Sequence, residues 1–71
     1  MNLELLQQAL MVEVDHKQLY PAITEYNGIV YVQYDVGEEY LKIDVPKFVL
    51  TQYQAYKVIK NRVLGWYEVI K

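Results

Sequence analysis

Apolar side chains recur at helical spacing in the N-terminal part of the chain. From Leu3 to about Val12 they lie three and four positions apart, which places them on one face of an α-helix. Asn2 is a residue type that commonly caps a helix N-terminus. The alternation of apolar and polar residues over Met11–Asp15 is also typical of a short strand. We predict a helix to Val12, followed by a polar loop over Asp15–Gln18.

The middle of the chain has two turn signals that predict three antiparallel strands. Asn27-Gly28 separates the stretches Ala22–Tyr26 and Ile29–Tyr34, and both turn residues tolerate the positive φ angles of a type I′ hairpin turn. A second turn over Val36–Glu39 leads to a third strand over Tyr40–Val45. The three strands are expected to form a β-meander.

The two turns fix the register of the strands, and therefore which side chains share a face. Thr24 is predicted opposite Tyr31, and Gln33 opposite Lys42. Because side chains alternate along a strand, one face of the sheet is apolar and forms a core face. The core face contains Ile23, Val30, Val32, Tyr34, Leu41, Ile43 and Val45. The other face, called the tyrosine face below, contains Thr24, Tyr26, Ile29, Tyr31, Gln33, Tyr40, Lys42 and Asp44.

The last third of the chain predicts a second helix, with two alternatives for its beginning and two for its end. Pro46 suits the first turn of a helix, whereas Thr51–Gln54 fits a capping box that would leave Lys47–Leu50 extended. Gly65 either ends the helix, leaving a short strand or tail over Trp66–Ile70, or lies inside one long helix. The apolar stripe of this helix contains Ala55, Tyr56, Ile59, Val63, Trp66 and Ile70.

These elements predict one small α+β domain over residues 1–71. It has an N-terminal helix, a three-stranded antiparallel β-meander and a C-terminal helix, with a short C-terminal strand after Gly65 as the alternative ending. We expect both helices to pack on the core face of the sheet. No repeat, low-complexity tract or Ser/Gly-rich linker divides the chain.

The composition limits how so short a chain can be stabilised. It has no cysteine, which excludes disulfides and thiolate zinc sites. Apolar residues make up 54% of the chain, which argues against disorder. A dense core or association between copies therefore remains as the source of stability.

Charge and hydropathy narrow the classes of partner and the expected compartment. The net charge of -2 gives no general attraction to nucleic acid or to anionic membranes, so nucleic-acid binding needs a local basic patch. No apolar run approaches the roughly 18 to 20 residues needed to cross a bilayer, and the N-terminal segment lacks the pattern of a signal peptide. We therefore expect a cytoplasmic protein without membrane contact.

Side chains suited to catalysis or metal binding are scarce. The chain has no serine and a single histidine, His16, which lies with Glu13 and Asp15 in the pattern Glu-x-Asp-His. This spacing matches no metal-binding motif, and a solvated loop histidine is the preferred interpretation. Acidic residues around Gly37 lack the full calcium-loop pattern and indicate a solvated turn. We predict no catalytic, cofactor-binding or metal-binding residue, and no enzymatic activity.

The tyrosine face carries the candidate partner surface, which consists of Tyr26, Tyr31, Tyr40 and Lys42. Tyrosine combines a large apolar body with a polar tip, which suits protein interfaces and also base stacking. Cross-strand tyrosines that only stabilise a solvent-facing sheet are the alternative interpretation. For a binding partner, the face favours an unidentified protein over single-stranded nucleic acid.

The C-terminal segment has more apolar surface than one small sheet readily covers. Surplus apolar surface in a short chain often marks association between copies. We therefore expect a homodimer that forms through this segment. The candidate oligomer interface contains Val58, Leu64, Trp66, Tyr67 and Val69.

The function that these features predict is a non-enzymatic interaction or regulatory protein, acting through protein contacts as a homodimer. Lys57, Lys60, Arg62 and Lys71 make the C-terminal helix basic, which favourably opposes the helix dipole near its end. The basic helix, or the tyrosine face, supports the alternative of a small nucleic-acid-associated regulator. The overall acidity of the chain makes this alternative weaker.

Overall fold

The first helix is shorter than the sequence predicts. A computed structural model of the chain describes residues 2–71, and its first helix, α1, spans Leu3–Ala9. Asn2 caps this helix, because its side-chain oxygen accepts hydrogen bonds from the backbone N–H groups of Glu4 and Leu5 at 3.0 and 3.1 Å. The prediction of a helix to Val12 is therefore wrong by one turn.

A small hairpin follows α1, where we predicted the end of the helix and a polar loop. Strand β1 spans Val12–Val14 and strand β2 spans Lys17–Leu19, and the two pair antiparallel. Asp15 and His16 form the turn, with φ angles of 46° and 63°. Asp and His tolerate this left-handed conformation better than most residues. As a strand, β1 places both of its valines in the core, which a continued helix would not do.

The predicted meander is confirmed, with its register. Strands β3 (Ala22–Tyr26), β4 (Ile29–Val36) and β5 (Glu39–Pro46) form an antiparallel sheet in the order β3-β4-β5. Thr24 pairs with Tyr31, as the Asn-Gly turn requires. Residues 2–71 therefore form five strands in two sheets, rather than the three strands that we predicted.

The predicted core face of this sheet is also confirmed. Tyr34 is fully buried, and its hydroxyl donates a hydrogen bond to the carbonyl of Leu10 at the end of α1. Ile23 and Leu41, nearer the margins of the face, are half-buried against the same core. The fully or largely buried members of the face are Val30, Val32, Tyr34, Ile43 and Val45.

The chain enters the second helix through a short 3₁₀ helix. This 3₁₀ helix spans Lys47–Thr51, so the segment after Pro46 is neither extended nor the first turn of the long helix. Helix α2 spans Tyr53–Ile70, and Gln52 lies at its N-cap position. The Thr51 hydroxyl donates to the carbonyl of Phe48 at 2.7 Å, which replaces the capping box predicted at Thr51.

Helix α2 continues through Gly65, and the alternative of a short C-terminal strand is wrong. A glycine inside a helix costs about 1 kcal/mol relative to alanine. Burial of Tyr67 and packing of Trp66 and Ile70 against the core offset this cost on the C-terminal side of the glycine. The predicted apolar stripe of α2 is confirmed, since all its members belong to the core or pack on it.

The helices and the β1–β2 hairpin cover the core face of the β3–β4–β5 sheet. Helix α1 contacts β3, whereas α2 contacts β5, β1 and the 3₁₀ helix. Gln7 attaches α1 to the sheet, because its side-chain amide donates to the carbonyl of buried Pro21 at 2.7 Å. Within residues 2–71, neither helix is long enough and apolar enough to cross a lipid bilayer.

Candidate interaction surfaces

The four residues of the candidate partner surface share the tyrosine face but do not form one cluster. Tyr26 and Tyr40 have 66% and 60% of their surface exposed, and Tyr31 has 38% exposed. The three tyrosines and Lys42 each lie in a different cross-strand row of the sheet. Successive rows are roughly 7 Å apart, so the set extends over roughly 20 Å. The face therefore offers an elongated surface rather than a binding pocket.

A shallow depression of about 300 Å³ lies in the middle of the tyrosine face. Its floor is low because β3 contributes small side chains there, Ala22 and Thr24, beside Tyr31. Lys42 and Asp44 stand at its β5 side, so a cation and an anion lie next to each other along one strand. The depression can therefore accept a side chain of either charge, which makes it suited to polar protein contacts.

The candidate oligomer interface is divided between different sides of α2. Val58 and Val69 are 67% and 83% exposed and lie on one flank of the helix, which we call the Val58 flank. Leu64 is 41% exposed and projects from a different flank, about 120° or more around the helix axis. Trp66 is half-buried against the core. A single flat partner can therefore contact Val58 and Val69 together, but not Leu64.

Tyr67, the fifth residue of that candidate interface, is part of the packing within the subunit. Only 6% of its surface is exposed, and its hydroxyl donates to an Asp15 carboxylate oxygen at 2.9 Å. The hydrogen bond to Asp15 raises the pKa of Tyr67 above the ordinary tyrosine value. Tyr67 thus fastens α2 to the turn of the β1–β2 hairpin. The only sequence signal for this contact is the alternation over Met11–Asp15, which we interpreted as the end of a helix.

The Glu-x-Asp-His segment is divided between strand β1 and its turn. Glu13 is an exposed residue of β1, whereas Asp15 and His16 occupy the turn. Asp15 accepts the hydrogen bond from Tyr67. In the part of the chain that the structure describes, no three histidine, aspartate or glutamate side chains come together as metal ligands.

An apolar groove, which we did not predict from the sequence, runs between β5 and α2. It has a volume of about 350 Å³ and is bordered by Ile43 and Val45 on β5 and by Val58 on α2. Strand β5 is an edge strand, because within residues 2–71 it pairs with β4 alone. The signal was present in the sequence, since the last strand of a meander lies at the edge of its sheet.

A second, smaller depression lies on the opposite side of α2. It has a volume of about 270 Å³ and combines two tyrosines, Tyr53 and Tyr56, with Lys57 and Lys60. The Tyr56 hydroxyl donates to the carbonyl of Leu50 at 2.9 Å, so this ring is held in place by the 3₁₀ helix. Tyr53 is 78% exposed. This is the part of the basic helix where aromatic and cationic groups lie together.

No protein-family model, curated protein or solved structure matches this chain. The surfaces of the chain itself are therefore the basis for its function. Of these, the β5 edge with its groove combines unpaired backbone groups with one exposed apolar side chain, Val58, whereas the tyrosine face and the basic depression are side-chain surfaces only.

Proposed function

We propose that this chain is a non-enzymatic interaction or regulatory protein that acts through protein contacts as a homodimer. The observation that supports this most strongly is the position of Val58. Its side chain is 67% exposed and borders the apolar groove beside the open edge of β5. Burying apolar surface lowers the free energy by about 25 cal/mol for each Å² removed from water. Covering this region with a second subunit would therefore stabilise the dimer.

The tyrosine face is the surface proposed for a different protein partner. Its exposed tyrosines supply apolar contact area together with hydroxyl groups that can form hydrogen bonds. Lys42 and Asp44 add one charge of each sign, which suits a mixed polar surface better than a uniformly charged polymer such as nucleic acid. The elongated arrangement favours a partner that lies along the sheet.

The homodimer is tested by size-exclusion chromatography with light scattering at micromolar concentration. The wild-type chain is expected to have twice the mass of one subunit. Val58→Glu should shift it toward the monomer, because a carboxylate would replace the exposed apolar side chain that the second subunit is proposed to cover. Leu5→Glu is the matched control, since Leu5 is 62% exposed on α1 and lies outside the groove. A wild-type chain that remains monomeric at these concentrations contradicts the proposal.

The partner surface is tested by affinity purification from the native host. Wild-type protein is expected to retain a specific protein that Tyr31→Ala and Tyr40→Ala lose. Tyr53→Ala controls for a general effect of removing an exposed tyrosine, because Tyr53 lies on α2 and is 78% exposed. Equal retention by all three variants would exclude the tyrosine face as the binding surface.

Binding of nucleic acid is a second candidate function, supported by the depression that joins Tyr53 and Tyr56 to Lys57 and Lys60. Aromatic rings can stack on bases while lysines contact phosphates. Labelled single-stranded DNA and RNA at low salt should then bind wild-type protein and lose affinity for Lys57→Glu. Lys17→Glu, in strand β2 and outside the lining of this depression, is the control. Absence of binding at low salt removes this candidate.

A further inference from the structure

We propose that two copies of this chain pair through the open edge of β5, antiparallel and with their two-fold axis at Ile43. The two three-stranded sheets would then form one continuous sheet of six strands. This inference rests on the proposed homodimer and specifies its geometry. It gives two of the charged residues of β5, Lys42 and Asp44, a role in recognition of the second copy in addition to their place on the tyrosine face.

The backbone of β5 has a defined set of groups available for pairing. The N–H of Lys47, just beyond the strand, donates to the carbonyl of Gly28 on the β4 side at 2.8 Å. The backbone N–H and C=O groups of successive residues point to opposite sides of a strand within the plane of the sheet. In β5, those of the odd-numbered residues therefore point toward β4, and those of the even-numbered residues point away from it. Pro46, which lacks an N–H, lies at an even-numbered position and therefore breaks no bond to β4. The residues whose backbone groups face outward are Tyr40, Lys42 and Asp44.

Backbone alternation and side-chain charge together select one register. Outward-facing residues must pair with outward-facing residues, which every antiparallel register centred on a residue of β5 satisfies. Among these registers, those centred on Lys42, Ile43 or Asp44 place charged residues of the two strands opposite each other. Centring on Lys42 or Asp44 places that residue opposite its own copy, with like charges in contact. Centring on Ile43 places Lys42 opposite Asp44 of the partner, and the reverse pair forms by symmetry. That register alone gives two opposite-charge pairs, with backbone hydrogen bonds between the same residues.

Because α2 lies beside β5, pairing of the two β5 strands would also bury the apolar groove between β5 and α2. Helix α2 contacts β5 and α1 contacts β3, so α2 covers the part of the core face nearest the open edge. The groove bordered by Ile43, Val45 and Val58 therefore opens toward the second copy. Across the two-fold axis the two Ile43 side chains become neighbours, and each α2 comes to lie beside the other. The Val58 flank is then between the two helices.

The opposite edge of the sheet is less suited to pairing. Strand β3 has five residues, compared with eight in β5, and α1 lies against it. Its outward-facing positions include Glu25, whose carboxylate already forms an ion pair with Lys47 at 3.0 Å. An edge strand as long as β5 is unusual without a cover, because an exposed edge is a template for another strand. These differences assign the interface to β5.

Charge reversal at exposed positions of β5 tests the register without altering the core. Lys42→Asp places aspartates opposite each other at both pairs, and Asp44→Lys places lysines there. Each single variant should dimerise about tenfold or more weakly than wild type in sedimentation velocity, whereas an equimolar mixture of the two should form a heterodimer of near wild-type affinity. The double variant Lys42→Asp/Asp44→Lys should regain wild-type dimerisation. Lys17→Asp on β2 is the control and should have no effect, because Lys17 is exposed and lies outside β5 and α2.

The outcomes separate this geometry from the proposed function. If wild-type protein dimerises but the double variant is no better than the single ones, the β5 register is wrong while the homodimer stands. If wild-type protein is monomeric, both fail. Circular dichroism of each variant confirms that it is folded.

Disulfide trapping provides a test that is independent of charge. The chain has no cysteine, so Ile43→Cys introduces one thiol per subunit, directly at the proposed axis. Facing residues at such a non-hydrogen-bonded pair have Cα atoms about 4.5 Å apart, which a disulfide can bridge. Mild oxidation should give a covalent dimer with Ile43→Cys but not with Leu41→Cys, whose two copies would lie roughly 13 Å apart along the strand. Failure of Ile43→Cys to cross-link overturns the register.

Discussion

The β1–β2 hairpin and the β3–β4 hairpin reverse the chain through the same kind of turn, yet they are specified differently. Asp15 and His16 have φ angles of 46° and 63°, and Asn27 and Gly28 have 50° and 77°. Asn-Gly is the strongest short sequence signal for such a turn, because both residues tolerate positive φ. Asp-His tolerates it less well and needs support from elsewhere in the molecule. A turn conformation can therefore be encoded locally or imposed by packing.

The support for the first hairpin comes from two tyrosine hydroxyls. Tyr34, from the centre of the sheet, donates to the carbonyl of Leu10, just before β1. Tyr67, from the end of α2, donates to the side chain of Asp15 in the turn itself. With three residues in each strand, β1 and β2 form few ladder hydrogen bonds of their own. The second hairpin has a longer ladder and a turn that is favourable without such contacts.

The largest expected effect comes from breaking the locally encoded turn. Gly28→Val forces a β-branched residue to φ 77°, where L-residues are strained, and should lower the free energy of unfolding by about 2 to 3 kcal/mol. Urea unfolding measures this. Gly65→Ala is the control glycine substitution, because in the described structure a Cβ at Gly65 meets no atom within 4 Å. It should stabilise the chain by about 1 kcal/mol. A neutral Gly28→Val would show that the turn is not needed.

The next effect in size comes from removing the Tyr34 hydroxyl, which supports the first hairpin from the core. Tyr34→Phe leaves the Leu10 carbonyl without its hydrogen-bond donor inside the protein and should lower the free energy of unfolding by about 1 to 3 kcal/mol. Hydrogen exchange should increase in β1 and β2 more than in β3 and β4. A uniform increase in all strands would argue against a specific role in the first hairpin.

Alkaline pH should weaken the hydrogen bond from the Tyr34 hydroxyl to the Leu10 carbonyl by removing the tyrosine proton. Burial raises the pKa of Tyr34 far above its ordinary value, so in the folded chain it keeps its proton where the unfolded chain loses it. Its stabilising contribution is complete below about pH 10 and declines as the pH rises, by up to about 1.4 kcal/mol per pH unit. Urea unfolding of wild type and Tyr34→Phe at about pH 9 and about pH 11 isolates this contribution. Parallel pH dependences would contradict it.

The smallest expected effect is loss of the contact with the turn itself. Tyr67→Phe removes the hydrogen bond to Asp15 but keeps the buried ring, so its melting temperature should fall by less than that of Tyr34→Phe. Tyr53→Phe is the matched control, because Tyr53 lies on the same helix and is 78% exposed. Thermal unfolding followed by circular dichroism gives all three values. If Tyr67→Phe behaves as Tyr53→Phe does, the turn does not depend on α2.

The contrast between the hairpins also explains which parts of the fold the sequence predicts. The meander follows from alternation and from Asn27-Gly28, which are properties of neighbouring residues. The short strand β1 was ambiguous, because its alternation covers only a few residues and the preceding helical pattern overlaps it. Gly65 was ambiguous for a similar reason, since only the packing of the following side chains decides whether a helix passes through a glycine.

The candidate surfaces also differ in whether they follow from neighbouring residues or from packing between elements. The tyrosine face could be predicted because a strand alternates its side chains. The division of the candidate oligomer residues between core and surface could not, because it depends on whether α2 continues through Gly65 and so brings Tyr67 beside the apolar stripe. Tyr67 therefore belongs to the core of the subunit, while Val58 borders the β5 groove. Since that groove joins a strand to a distant helix, periodicity within one element does not reveal it.

Amide hydrogen exchange at the open edge of β5 is the most direct test of self-association through this strand. The N–H groups of Lys42 and Asp44 face away from β4, whereas that of Ile43 faces β4 and serves as the internal reference. Nuclear magnetic resonance at increasing protein concentration should show growing protection at Lys42 and Asp44, with Ile43 protected throughout. Rapid exchange at Lys42 and Asp44 at every concentration, including those where a dimer is present, would show that the two copies do not pair through β5.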